Sequence, residues 1–212
     1  PSICPAGCRD SKPSSNASIR TMSDAVLPSP PITYAPLSYE SRLARRTLRN
    51  IDMVVIHCTE LPDMAMAREY GERVLYDSGT GNSGHYYIDR NGSIQQYVAL
   101  ERVAHHVRGH NPHTLGIELV NSGRYPHWLD SRHQQMREPY PDAQINALVT
   151  LLQWLEQQLP SVRRMAGHEA LDTTQEAASD DPSRKIQRKR DPGPLFPWER
   201  IETAVRWVHA PR

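Results

Sequence analysis

Met53-Val54-Val55-Ile56 is an unbroken apolar run that stops at a histidine, His57. A strand with one solvated face alternates apolar and polar residues. A strand that is apolar at every position is buried on both faces, and needs helices on both. This segment therefore points to an α/β fold, with His57 at the strand end, where functional groups commonly sit in such sheets. The helices are legible elsewhere. Ile145, Leu148, Val149, Leu152, Leu155 and Leu159 recur every three or four residues and predict a helix over 142–159, with Asp142 as its cap and Pro160 as its stop. Another helix is expected over 63–77, capped by Asp63, with Met64, Ala67, Tyr70, Val74 and Leu75 on one face and Gly79 past its end. Pro197 opens a last helix that runs through Val208. The β-type runs His85–Ile88 and Ser93–Val98 flank Asp89-Arg90-Asn91-Gly92, a hairpin signal. Thr114–Val120 and Val162–Ala166 read as further strands. The expectation is one α/β domain with a central mixed sheet flanked by helices: the hairpin demands an antiparallel pair, and strands that follow helices are free to be parallel.

The remaining segments read as connections. Residues 1–36 are rich in Ser and Pro and are expected to form a flexible tail ending in an extended strip from Pro28 to Pro36, with the domain over 37–212. Residues 121–141 and 169–187 lack apolar periodicity and read as long surface loops. With 25 basic and 24 acidic residues, the net charge of +1 argues for no nucleic-acid partner, and the basic run at Arg188-Lys189-Arg190 reads on charge alone as a solvated loop. Cys4, Cys8 and Cys58 make no disulfide framework. No apolar run reaches about 18 residues, so no membrane-spanning helix is expected. Pro5-Ala6-Gly7-Cys8 has a faint likeness to a lipoprotein cleavage site without its apolar segment, and Met22 is an equally good start. The expected compartment is the cytoplasm, with the periplasm or cell envelope as the alternative if a signal preceded Pro1. The oligomeric state is not legible.

His57, Gly167-His168 and Lys189-Arg190-Asp191-Pro192-Gly193-Pro194 lie far apart, yet together offer two imidazoles and one carboxylate. Such a set leaves a tetrahedral Zn2+ one ligand short, which is the composition of a catalytic site with water in the fourth position. Ile56-His57, Gly84-His85-Tyr86-Tyr87-Ile88, Leu115-Gly116-Ile117-Glu118-Leu119, Gly167-His168 and the Lys189–Pro194 stretch occur in this order. Over roughly residues 50–200 the set resembles the type 2 N-acetylmuramoyl-L-alanine amidases, the AmpD-like branch of the group that includes peptidoglycan recognition proteins. The resemblance implies that His57, His168 and Asp191 bind zinc, that Glu118 is the general base and that Lys189 stabilises the oxyanion. It implies hydrolysis of the amide between N-acetylmuramic or anhydromuramic acid and L-alanine, in peptidoglycan or in soluble muropeptides. His106 matches a histidine common near the family's site, and is read as contacting either substrate or a ligand. Arg188 is a candidate for holding a substrate carboxylate. His85 is expected to be buried and structural, and Cys58, adjacent to His57, to point into the core.

Two departures stand out. Phage-type relatives carry a tyrosine before the hairpin-strand histidine; here that position is Gly84, which puts weight on Glu118. His168 and Asp191 stand further apart than in compact members, so residues 171–187 are an insertion, expected to form a rim that shapes substrate access. The rival readings are a non-catalytic peptidoglycan-binding module and a zinc peptidase acting on proteins. The complete ligand set weighs against the first and the lack of a His-Glu-x-x-His helix against the second.

Overall fold

A computed structural model describes residues 26–210. The expectations for Cys4, Cys8, the Met22 start and the tail over 1–25 fall outside it. Strand β1 is Ile32–Tyr34, β2 Met53–Cys58, β3 Tyr86–Ile88, β4 Ile94–Gln96, β5 Thr114–Leu119, β6 Arg164–Gly167 and β9 Val208–His209; these form a seven-stranded sheet in the order β1-β4-β3-β5-β2-β6-β9. Only β3 and β4 pair antiparallel, as the Asn91-Gly92 turn requires, and the other neighbours are parallel. The sheet is thus mixed, as expected, and β2 lies inside it between β5 and β6. All six residues of β2 are buried.

Alternation along the strands separates two faces. Val54 and Ile56 of β2, with Leu115, Ile117 and Leu119 of β5, pack against α2 (Asp142–Gln158) through Ile145, Leu148, Leu151, Leu152 and Leu155. On the other face Met53 and Val55 meet Val107 and Ala166. Nearby, α1 (Met64–Glu72) seats Ala67 in a cluster with Leu37, Tyr39, Tyr87 and Tyr97. The apolar stripe expected for α2 is the one that packs, but its cap is Pro141; Asp142 is the first helical residue and pairs with Arg200 instead. In α1 the Asp63 carboxylate accepts from the Met66 amide at 2.8 Å, as expected.

Four boundaries differ from expectation. Helix α1 ends at Glu72, because the Leu75 and Tyr76 amides turn to the Thr80 carbonyl, leaving Val74 and Leu75 exposed. The helix expected to run from Pro197 to Val208 covers only Trp198–Glu202 (α4), and Val208 pairs with Arg164 at the sheet edge. Residues 169–187 are not an irregular loop: His168–Leu171 is a short helix (α3), and Gln175–Ala177 (β7) pairs antiparallel with Lys185–Gln187 (β8). The Pro-rich strip does not hang free either. Ile32–Tyr34 adds to the sheet beside β4, at an edge, where prolines that cannot donate to a ladder are tolerated in the flanking chain. No helix among the described residues is long and apolar enough to cross a membrane.

Candidate active site

Parallel pairing sets the site. His57 and Glu118 are register partners at the ends of β2 and β5, and both fall on the face opposite α2. His168 follows β6 directly, one residue beyond Gly167, whose own register partner is Ile56. Two imidazoles and a carboxylate are therefore delivered by backbone register at the carboxyl ends of adjacent parallel strands. Asp191 arrives from the loop after β8, where its carbonyl accepts from the Glu169 amide at 3.0 Å. A side chain at Gly167 would put its Cβ 2.9 Å from Pro192, so the glycine is what lets the Asp191-Pro192 loop close onto β6.

His57 Nδ1 lies 3.0 Å from His168 Nδ1 and 2.9 Å from Asp191 Oδ2, and His168 Nδ1 lies 3.1 Å from that same oxygen. All three residues are buried. A hydrogen-bond relay fixes the His57 ring. The Thr114 hydroxyl donates to the His110 carbonyl at 3.0 Å, so at 3.1 Å it accepts from His106 Nε2. His106 Nδ1 then accepts from His57 Nε2 at 2.9 Å. His57 is left with a lone pair on Nδ1, facing a carboxylate oxygen at acceptor–acceptor range. Burial agrees with a neutral ring, pushing the His57 imidazole down to about 4 against the opposing pull of Asp191. Two acceptors at this distance repel unless a cation lies between them. Donors on a tetrahedral zinc stand roughly 3.3–3.5 Å apart, close to the separations here. The residues present fit a zinc ion.

Glu118 Oε1 is 4.0 Å from His57 Nδ1, and 14% of its side chain is exposed to the cleft. Burial, then the Asp191 charge, raises its carboxyl to about 8, while Lys189 acts in the opposite direction. Lys189 lines the same cleft, of about 950 Å³. At Gly84 a Cβ would fall 2.8 Å from Glu118 Cγ, so a side chain at this position would crowd the glutamate. Arg188 also lines the cleft, but its guanidinium is paired with Asp172 and has Glu176 at 3.8 Å, internal partners that sequence reading did not anticipate. His85 is buried in the sheet, accepting from the Gly116 amide at 3.1 Å, and Cys58 is buried.

Residues 47–194 match the N-acetylmuramoyl-L-alanine amidase family. The chain belongs to that family. It is 31% identical over 134 residues to the 1,6-anhydro-N-acetylmuramyl-L-alanine amidase AmpD of Haemophilus influenzae, a match that covers 58% of this chain and 59% of AmpD. Among solved structures it is similar to the amidase AmiD from E. coli, in complex with anhydro-N-acetylmuramic acid-L-Ala-D-gamma-Glu-L-Lys (TM-score 0.54, 25% identity, 76% of this chain and 60% of AmiD). The bumblebee peptidoglycan recognition protein PGRP-SA shares the fold (TM-score 0.56, 17% identity, 86% of this chain and 99% of that one).

Besides the partners of Arg188, sequence reading missed a second buried pair near this site. Glu60, three residues after His57, is buried against Arg124, 64 positions away. Glu60 adopts a φ of 50°, uncommon for a residue with a side chain.

Proposed function

We propose that this family member is a zinc-dependent N-acetylmuramoyl-L-alanine amidase that cleaves the amide between the lactyl group of N-acetylmuramic or anhydromuramic acid and L-alanine. The observation that carries the reading is the convergence of three electron-pair donors on His57, His168 and Asp191, with Glu118 beside them in an open cleft. When bound there, zinc supplies Lewis-acid polarisation of a carbonyl and an acidified water, with a pKa of about 7. His106 holds His57 in the tautomer that presents Nδ1 to the ion. Glu118, raised by burial and drawn back toward the carboxylate by a bound cation, in its ionised form takes a proton from the attacking water and returns it to the leaving amine. The Lys189 ammonium faces the charge that develops on the carbonyl oxygen. Glu176 of the insertion lines the cleft. AmpD and AmiD, by their names and bound compound, act on anhydromuramyl substrates, and soluble fragments of that kind, met in the cytoplasm, are the substrate we favour. Arg188 is positioned to meet a substrate carboxylate if Asp172 releases it.

Mass spectrometry of defined muropeptides tests the reading, using zinc-loaded, chelated and Glu118→Ala protein. The expected result is zinc-dependent release of a peptide that begins with L-alanine, absent in Glu118→Ala. Tight muropeptide binding without cleavage by any form overturns it in favour of a recognition module.

A further inference from the structure

Arg124 is the most fully engaged side chain near the cleft. Its Nε donates to Glu60 Oε1 at 2.6 Å and its Nη2 to Glu60 Oε2 at 2.7 Å, a two-armed pair whose side chains are 1% and 8% exposed. The other Nη2 proton reaches the Arg188 carbonyl at 3.0 Å. Nη1 donates to the Gln187 carbonyl and to Gln134 Oε1, both at 3.1 Å. All five N–H groups of the guanidinium are thus used. Glu60 is gripped from two further sides: its carboxylate accepts from the Arg124 amide at 3.2 Å and its carbonyl from Trp128 Nε1 at 3.1 Å.

The targets of this fork are specific. The Arg188 carbonyl belongs to the peptide bond that leads into Lys189, and the Gln187 carbonyl closes β8. One buried guanidinium therefore ties the chain three residues past His57 to the backbone that carries Lys189. A buried ion pair is weak evidence of a stabilising role. Apolar groups of equal volume would fill the space, but could not hold two carbonyls at fixed angles.

We propose that Arg124, clamped by Glu60, is a positioning residue that sets Lys189 against Glu118 in the cleft. The inference rests on the reading of Lys189 given above. A lysine at 124 would keep the charge facing Glu60 but lose the fork, since an ammonium is a single point with three donors.

A double-mutant cycle on anhydromuramyl-tripeptide hydrolysis tests it, with wild type, Arg124→Lys, Lys189→Ala and the double variant. Arg124→Lys is expected to lower kcat roughly 10- to 100-fold, the scale of a misplacement of about 1 Å, with KM and zinc content close to wild type. In the Lys189→Ala background the same change is expected to have no further effect. An equal loss in both backgrounds, or no loss in either, overturns the proposal while leaving Lys189 in its role. A Lys189→Ala enzyme with normal kcat overturns both. Acylation of Lys189 by a soluble reagent, read by peptide mass spectrometry, is independent of turnover; it is expected to quicken in Arg124→Lys, and an unchanged rate counts against the proposal. Glu60→Gln keeps the size of the side chain but turns one of its two acceptor oxygens into a donor, which breaks one arm of the fork, and repeats the cycle. If both variants lose cooperative unfolding, the pair is structural and the positioning role is wrong.

Discussion

Val54 and Ile56 point from β2 toward α2, while Met53, Val55 and His57 point to the opposite face, where Met53 and Val55 pack in a small apolar cluster and His57 lines the cleft. On the α2 side these residues belong to an apolar cluster, with Leu115 and Ile117 of β5 and Leu148 and Leu152 of the helix. On the cleft side the register that places Ile56 beside Ile117 places His57 beside Glu118. Both faces are buried, but burial acts differently on them. Apolar groups gain from leaving water, at about 25 cal/mol per Å². Polar groups lose unless each finds a partner; on the cleft face His57, His106 and Thr114 are joined in one hydrogen-bonded chain, while His168 Nε2 and Asp191 Oδ1 are buried without a partner. The first face stabilises the strand, and the second gathers the groups that the proposed function assigns to an ion and a proton.

Substitutions that separate the two faces sharpen this contrast. The largest effect falls on the cleft side. His57→Ala should lose both stoichiometric zinc, measured by elemental analysis, and detectable turnover, whereas its register partner Glu118→Ala should keep the zinc and lose roughly 100- to 10,000-fold in kcat. Normal turnover in Glu118→Ala would remove it from the mechanism. Across the sheet, Ile117→Ala should cost roughly 2–5 kcal/mol in denaturant unfolding, with the kcat of the folded fraction retained. A similar loss of kcat there would mean that the faces are not independent.

The pH dependence of metal-free protein offers a finer test. Glu118 is raised from an ordinary carboxylate value of 4.5 to about 8. Between these values the folded chain keeps a proton that the unfolded chain has released, so this group makes stability fall as pH rises through the window. Glu118→Gln should flatten that slope, and an identical slope in the two proteins argues against a desolvated carboxyl. In zinc-loaded protein the cation favours the carboxylate, so the acidic limb of activity should lie below pH 8. The smallest effect is expected at the rim. Asp180 accepts from the Ser131 amide at 2.7 Å and its hydroxyl at 2.8 Å, and the Ser179 amide donates to the Leu129 carbonyl at 2.8 Å, pinning the insertion to the 121–141 loop. Deleting 172–185 should leave kcat on a small muropeptide within a few fold and change the ratio of activity on polymeric to small substrate. Unchanged kinetics on both would leave the hairpin without a role in access.

Strands and helices that bury a regular face were legible because their period is written in the chain: the apolar run of β2, the stripe of α2 and the Asn-Gly turn between β3 and β4. Short elements were not. Gln175–Ala177 and Lys185–Gln187 have mostly exposed or half-buried side chains and no alternation strong enough to betray a hairpin. Val74 and Leu75 fit a helical face on paper, yet a carbonyl five residues on offered their segment a better turn. Likewise Val208 satisfied a helical pattern until an open sheet edge beside β6 competed for its backbone.

The sequence alone determined the α/β class, the order of the main elements and the identities of His57, Glu118, His168, Lys189 and Asp191 as candidates, since each depends on local period or on motif order. Tertiary structure decided what these residues are to one another. It decided that His106 fixes the His57 ring, that Gly84 leaves room for Glu118, that Arg188 faces Asp172, and that Glu60 and Arg124 meet across 64 positions. The reason is range. Periodicity is a property of neighbours along the chain, whereas burial of a charge is settled by whichever distant group the fold brings within about 3 Å of it.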